Sequence, residues 1–356
     1  VLFRSRPAVQ RWHIALIVAA LIVVGLLVWL GLLWSKPKVE AKQEHYLRGI
    51  ADAVERFEPH RDRLFGVAYR MTGSVADAED CVQESFLRWE RTDREAVRND
   101  EAFLVRTTTR LAIDRQRQVA RRRETYVGPW LPEPLLAPLS QLVPRSTDPA
   151  DDAAVADSLS FAFLVLLDRL SASERAAFIL HDVFAIPFDE VAITLERDRD
   201  ACRQLASRAR RKLRATEGGT SASSVVQPVP GSDASDALGE LLGALIAGDV
   251  ERCLAHLAPQ VVLTSDAGPN RRAARRQVVG ADRVLRLVSN LFARDVERVS
   301  EIRPVAVNGA LGLYVAHDDG PLVFTADIDA DGLIRRIWIQ MNPDKLAAQR
   351  IGSDLS

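Results

Sequence analysis

Cysteine is scarce in this chain: Cys81, Cys202 and Cys253 are the three among 356 residues. They lie far apart and form no Cys-x-x-Cys or Cys/His cluster, which excludes a disulfide framework and a zinc module and fits a reducing compartment. A dominant charge is lacking too. The formal net charge is −1, so any affinity for nucleic acid must come from local patches and not from a global field. Aromatic residues make up only 6% of the chain. That leaves few side chains on which single-stranded bases could stack. No internal repeat is present. The rest, 47% hydrophobic and 27% charged, is ordinary globular composition, and the length leaves room for two or three domains.

Uncharged apolar runs are confined to one place. Ile14 to Trp34 holds no charged residue and is long enough to span a bilayer, with Trp12, Trp29 and Trp34 near its ends. No small-residue cleavage site follows it, so an anchor is expected rather than a signal peptide. Basic residues flank both sides, which leaves the orientation open; a DNA-binding part downstream would have to face the cytoplasm. The opening Val1-Leu-Phe-Arg-Ser5 reads like a translated sequencing adapter. A membrane partner therefore follows only if residues 14–34 are native, and the expected location is cytoplasmic, tethered to the inner face in that case.

Composition divides the remainder. Residues 1–45 form the N-terminal segment and 46–128 a helical domain. Residues 129–152 carry Pro129, Pro132, Pro134, Pro138, Pro144 and Pro149 and are expected to be an extended linker. A second helical domain covers 153–216, a flexible linker 217–235 and an α+β domain 236–350. In that last part a helix over 236–247 precedes β-branched runs at Gln260–Thr264, Val305–Val307, Gly312–His317, Leu322–Ile328 and Ile334–Met341. Turn signals at Asp318–Gly320 and Asp329–Gly332 predict a curled antiparallel sheet.

The most informative stretch is 182–214. Cys202, Leu205, Ala209 and Leu213 fall on one helical stripe, and Arg203, Ser207, Arg210 and Arg214 on another. Seven basic residues and one acid, Asp200, lie between Arg199 and Arg214. One face can pack on a small core while the other meets phosphates and base edges, the design of a helix-turn-helix recognition helix. An amphipathic helix with a solvated basic face is the plainer alternative. Ser171-Ala-Ser-Glu174 predicts a capping box, Pro187 the first turn of the next helix and Asp198 an N-cap.

Two further patterns stand out. In Asp77–Trp89, Ala78, Val82, Phe86 and Trp89 form a core stripe. Asp80 and Glu84, like charges one helical turn apart, cost helix stability, and with Gln83 and Arg88 they suit a polar or basic protein partner. In Phe103–Arg123, Arg106, Arg110, Arg115, Arg117, Arg121, Arg122 and Arg123 face only Asp114, which reads as phosphate contact.

Together these motifs resemble the extracytoplasmic-function (ECF) sigma factors. The block EPHRDRLFGVAYRMTGSVADAEDCVQESFLRW is very close to that family's region 2 pattern, and Leu170–Leu213 is similar to region 4. Trp130-Leu-Pro-Glu-Pro134, the α+β tail and Asn342-Pro-Asp-Lys345 resemble the subgroup with a SnoaL-like (NTF2-like) C-terminal extension. The likeness covers roughly residues 56–346. The chain departs from the subgroup at Asp266-Ala-Gly-Pro-Asn270, where a Gly-rich Asp-Gly-Gly-Gly-Lys loop is usual; Pro269 removes an amide and stiffens the loop.

The resemblance implies a multidomain fold: all-α regions 2 and 4, the latter a helix-turn-helix, plus an α+β NTF2-like cone, here preceded by a hydrophobic helix. It implies an alternative sigma factor for promoter recognition and transcription initiation, not an enzyme, without cofactor or metal. Asp77, Asp80, Gln83, Glu84 and Arg88 would bind the β′ clamp helices of core RNA polymerase. Arg106, Arg110, Arg115 and Arg117 would hold the −10 element of promoter DNA. Arg203, Gln204 and Ser207 would read the −35 element, with Arg208, Arg210, Arg211 and Arg214 on phosphates. Trp130, Leu131, Pro132, Asp266, Asn342, Pro343, Asp344 and Lys345 would form a regulatory contact within the chain. Two rival functions are an NTF2-like isomerase or hydratase fused to a DNA-binding module, with Asp266, His256, His317 and Asp318 as acid/base candidates, and a membrane-anchored one-component regulator.

Overall fold

The computed structural model describes residues 43–44, 46–123, 126, 128–138, 159–216, 239–241, 243–244, 247–269, 271, 273–329 and 331–347. The expected span at 14–34, the second half of the proline-rich linker and the linker 217–235 lie outside the described residues.

Helix α1 (46–57) forms one compact unit with Trp89–Thr92. Ala53 and Phe57 are buried there, the Trp89 indole donates to the Ala53 carbonyl at 3.0 Å, and Arg56 lies over the indole. The second unit begins with α2 (Arg61–Thr72), which ends where the sequence places Gly73. That residue has φ 68°, and its N–H returns to Tyr69 O, a left-handed cap that glycine adopts without strain. α3 (Val75–Glu90) buries Ala78 and Val82, and α4 (Asp100–Arg123) buries Leu104, Ala112 and Ile113. Between them the Ser85 and Thr108 hydroxyls meet at 2.8 Å, and Ser85 also donates to Cys81 O, so two buried polar groups satisfy each other. Burial pushes the Cys81 thiol up to about 11, which leaves it a small apolar side chain rather than a nucleophile.

The next helices are α5 (Phe161–Leu167), α6 (Ala172–Phe178), α7 (Phe188–Leu195) and α8 (Arg199–Thr216). The capping box forms: Ser171 Oγ accepts from Glu174 N, and the Glu174 carboxylate accepts from Ser171 N at 3.0 Å. α6 widens into a π turn over Ile179–Val183, followed by Ala185 at φ 53°. Pro187 sits as the cap of α7 rather than inside its first turn, and Asp198 caps α8 by accepting from Ala201 N at 2.6 Å. The apolar stripe of α8 is buried as its spacing requires, Cys202, Leu205, Ala209 and Leu213 among Ala176, Ile179, Leu180 and Val191 of this helical group.

Glu174 also receives Lys212 of α8 at 2.7 Å. Burial alone would raise its pKa, but the bonds from Lys212 and Ser171 outweigh burial and lower it. A depressed carboxylate stabilises the fold above its unfolded pKa and stops doing so as pH falls through its folded value. Glu174→Ala should therefore lower stability by about 1–2 kcal/mol at neutral pH. In urea unfolding, the gap from the wild type should close in acid.

The C-terminal part holds α9 (Val250–Ala255), β2 (Leu257–Asp266), β3 (Val278–Val279), α10 (Ala281–Asp295), β4 (Val299–Val307), β5 (Ala310–His317), β6 (Leu322–Ile328), β7 (Ile334–Gln340) and α11 (Pro343–Leu346). Strand β1 (Leu136–Ala137) belongs to the proline-rich linker, and the sheet order is β1-β4-β5-β6-β7-β2-β3. The strands fall where alternation placed them, with β4 longer than expected. Two expectations are corrected. The sheet is mixed: β2 runs parallel to β7, Leu263 opposite Ile337 and Ser265 opposite Ile339. And the linker, read as extended only, carries a strand: Leu131, Pro132, Glu133 and Pro134 are buried and β1 extends the sheet edge beside β4, Leu136 opposite Val307.

Period-two alternation gives the sheet two apolar faces. Leu263, Ile337 and Ile339 pack with Val284 and Leu285 of α10 inside a cone. Val305, Val307, Val323 and Trp338 pack on the opposite face against Leu131 of the linker and Phe161 of α5, the Phe161 and Trp338 rings 5.6 Å apart.

Candidate DNA and polymerase interfaces and the linker latch

On α8 the basic stripe points away from the buried one. Arg203, Gln204, Ser207, Arg208, Arg211 and Arg214 are exposed. Arg210 is partly buried and forms a two-bond pair with Asp182, at 2.7 and 3.2 Å. Arg203 lies 3.3 Å from Asp200 and over the Phe188 ring, and Arg208 lies near Glu174. These half-exposed pairs are weak enough to exchange for phosphate.

The α4 arginines are differently employed. Arg110 donates to Thr194 O at 3.0 Å and Ile193 O at 2.8 Å and pairs with Glu196, so it caps the C-terminal end of α7. Glu196 itself holds a left-handed φ of 53°. Arg115 bridges Asp77 at 3.5 Å and Asp80 at 3.2 Å, Arg117 pairs with Asp114, and Arg106 lies over Phe103. α2 also approaches the helix-turn-helix: Arg63 donates to Phe184 O, and Arg63 and Arg70 lie over the Phe184 ring. Arg70 is buried, and desolvation lowers its pKa to about 10.

On α3, Asp80, Gln83, Glu84 and Arg88 are exposed, with Asp77 partly buried behind them. Glu84 and Arg88 pair at 3.1 Å. Leu87, 44% exposed, stands among them and lines a shallow groove with Asp80, Gln83, Glu84, Leu111 and Arg115. Acids thus surround one exposed apolar side chain.

The third site joins the linker to the cone. Asp266, at the end of β2, is fully buried. Its Oδ2 accepts from Leu131 N at 2.8 Å and from Lys345 Nζ at 2.6 Å; its Oδ1 accepts from Gly268 N and from the Tyr126 hydroxyl. Lys345 also donates to Leu131 O at 2.5 Å, and its ammonium lies 3.3 Å from the centre of the Trp130 ring. The Leu131 peptide is thus held by a carboxylate on its N–H and an ammonium on its carbonyl. Asn342 caps α11 and donates to Tyr126, while Gln340 donates to Pro132 O at 3.0 Å. Gly268, at φ 67°, lies so close to Asn342 that an added Cβ would sit 2.7 Å from Oδ1. Pro269 leaves every one of these bonds in place. Of the residues expected here, Trp130, Leu131, Pro132, Asp266, Asn342 and Lys345 meet; Pro343 starts α11, and Asp344 N bonds Asn342 Oδ1.

Residues 56–123 match the family model Sigma-70 region 2, and residues 160–213 match Sigma-70, region 4. The chain is 39% identical over 300 residues to the ECF RNA polymerase sigma factor SigJ of Mycobacterium tuberculosis, covering 82% of this chain and 92% of that one. The chain is an ECF sigma factor. It is also 35% identical over 227 residues to the probable ECF RNA polymerase sigma factor SigI of the same species, covering 63% of this chain and 72% of SigI. The crystal structure of SigJ superposes with a TM-score of 0.66 at 35% identity, covering 84% of this chain and all of that one. The α+β part of this sigma factor is the SnoaL-like extension of its subgroup.

Several contacts in this sigma factor were not read from its sequence. Tyr69 donates to Glu133 O at 2.6 Å, and Asn308 Nδ2 donates to Tyr69 and to Leu159 O while its Oδ1 accepts from Leu135 N. Burial pushes the Tyr69 and Tyr126 hydroxyls upward, which keeps both as donors. Glu133 accepts from Ser74 Oγ and Val75 N and so caps the start of α3; burial raises its pKa against those bonds. Asn308-Gly309 looks like an exposed hairpin turn, which hid the role of Asn308. The acid/base candidates do not converge. Asp266 faces the linker, His256 pairs with Glu240, Asp318 is exposed in its turn, and His317 accepts from Asp319 N. No described helix is long and apolar enough to cross a membrane, and residues 14–34 are not among those described.

Proposed function

We propose that this sigma factor is regulated in cis by its SnoaL-like domain, which grips the linker between region 2 (within 46–128) and region 4 (within 153–216). The carrying observation is the buried Asp266–Lys345 pair closed on the Leu131 peptide. Such a pair would be a poor stabiliser compared with apolar packing, whereas a switch has use for one. Glu133, two residues on, reaches the first turn of α3, so a change in the linker would be felt at the polymerase-facing helix. In the latched arrangement Arg110 is committed to α7; gripping the −10 element would exchange those carbonyls for phosphates. Core polymerase would dock on Asp77, Asp80, Gln83, Glu84, Leu87 and Arg88. Run-off transcription by core polymerase, comparing the full chain with one ending before Asn342, tests the latch.

In the same reading α8 enters the major groove of the −35 element. Arg203→Ala should cost about 1–3 kcal/mol of binding and relax sequence choice. Arg211→Ala should weaken binding evenly across sequences and lower the salt slope by about one. Titrations on matched and scrambled −35 duplexes at several salt concentrations separate the two. Equal, sequence-independent losses would remove Arg203 as a reader.

A further inference from the structure

The cone holds a half-open cavity of about 1360 Å³, lined by Leu257, Leu263, Leu291, Phe324, Ile337 and Ile339 among others. It is larger than most small-molecule pockets, which run to ~1,000 Å³. Three arginines, Arg271, Arg294 and Arg298, border it, together with His317 and the acids Asp295, Glu301 and Asp319. Arg294 is paired with Asp295 at 2.6 Å, Arg298 with Asp319 at 2.5 Å, and His317 accepts from Asp319 N. Arg271 differs. Its Nη1 donates to Pro321 O at 3.1 Å and to Met341 O at 3.0 Å, and no carboxylate lies within ion-pair distance of it among the described residues. It is half-buried: desolvation lowers its pKa, and Asp319, beyond ion-pair distance, offsets only part of that. Two backbone carbonyls therefore fix the orientation of a charged fork at an apolar cavity, with Nε and Nη2 left as donors. A guanidinium so placed matches a carboxylate, which would supply a counter-charge in direct contact where Asp319 acts only from a distance.

We propose that the SnoaL-like cone of this sigma factor binds an amphipathic carboxylic acid, an acid with a long aliphatic or polycyclic apolar body, with Arg271 receiving the carboxylate. The apolar body fills the space between α10 and the sheet. Neutral apolar molecules of the same size lack the ion pair and bind less tightly. The site does not depend on the latch regulating transcription, because binding is read on the protein alone.

The test uses the full chain, dansylated undecanoate as fluorescent probe and its uncharged methyl ester as the matched control. The acid should bind at least tenfold tighter than the ester, about 1.4 kcal/mol. Arg271→Met should remove that advantage and leave the ester unchanged, Arg271→Lys should keep part of it, and Val288→Trp, which fills the cavity from α10, should weaken both probes. Thermal melts establish that each variant is folded. Equal affinity of acid and ester for the wild type overturns the proposal, as does binding of neither probe to the folded chain or an acid affinity that survives both Arg271→Met and Val288→Trp.

Discussion

Asp266→Asn is expected to cost the full chain about 3–5 kcal/mol and to free the linker from the cone. The substitution keeps the size and most of the hydrogen-bonding capacity of the side chain but removes its charge. Lys345, 8% exposed, then loses the carboxylate bonded to its ammonium and keeps the Leu131 carbonyl and the Trp130 and Tyr126 rings against it. Removing one partner of such a pair costs far more than removing both, because the survivor is uncompensated. The double variant Asp266→Asn/Lys345→Met should therefore recover part of the loss, a positive coupling between neighbours. Denaturant unfolding gives the energies, and limited proteolysis between Leu131 and Pro138 reports the freed linker. A single variant as stable and as protected as the wild type would show that the pair does not hold the linker.

Reversing charge at Asp80 and Glu84 together, Asp80→Lys/Glu84→Lys, should weaken core polymerase binding about 100-fold or more. Like charges set against a partner's basic surface cost several kcal/mol. The helix should survive, because both residues are exposed and the pairs they lose, with Arg115 and Arg88, are surface pairs worth less than about 1 kcal/mol each. Anisotropy with labelled protein measures the affinity, and circular dichroism shows whether α3 remains folded. Lost helicity would place these acids in the structure of α3 and not in its docking surface.

Much of this was legible because local rules and tertiary packing agree. The stripe Cys202–Leu213, the Ser171–Glu174 box and the Asp198 cap each depend on neighbours within one helical turn, and all three form as read. The misreadings share another cause: they depend on partners far away in the chain. Alternation gives the same pattern for parallel and antiparallel strands, so nothing local distinguishes β2 beside β7 from a hairpin. Prolines at 129, 132, 134 and 138 mark an extended linker, and a segment that donates few amides is also suited to a sheet edge. There Leu131 and Pro132 carbonyls find Lys345 and Gln340 more than 200 positions later. Asn308 was hidden for the same reason, its three linker and helix partners lying 149 to 239 residues away.

The measurement closest to the central claim is promoter-dependent transcription by core polymerase, with the full chain and with the chain ending before Asn342, over a range of polymerase concentrations. Removing Asn342 and Lys345 deletes their bonds to Tyr126 and Leu131 and leaves Asp266 alone on both, with α3, α4 and α8 untouched. A latch acting in cis predicts a several-fold change in transcript level with the same start sites and the same promoter choice. Identical transcription from both proteins at every polymerase concentration would contradict it.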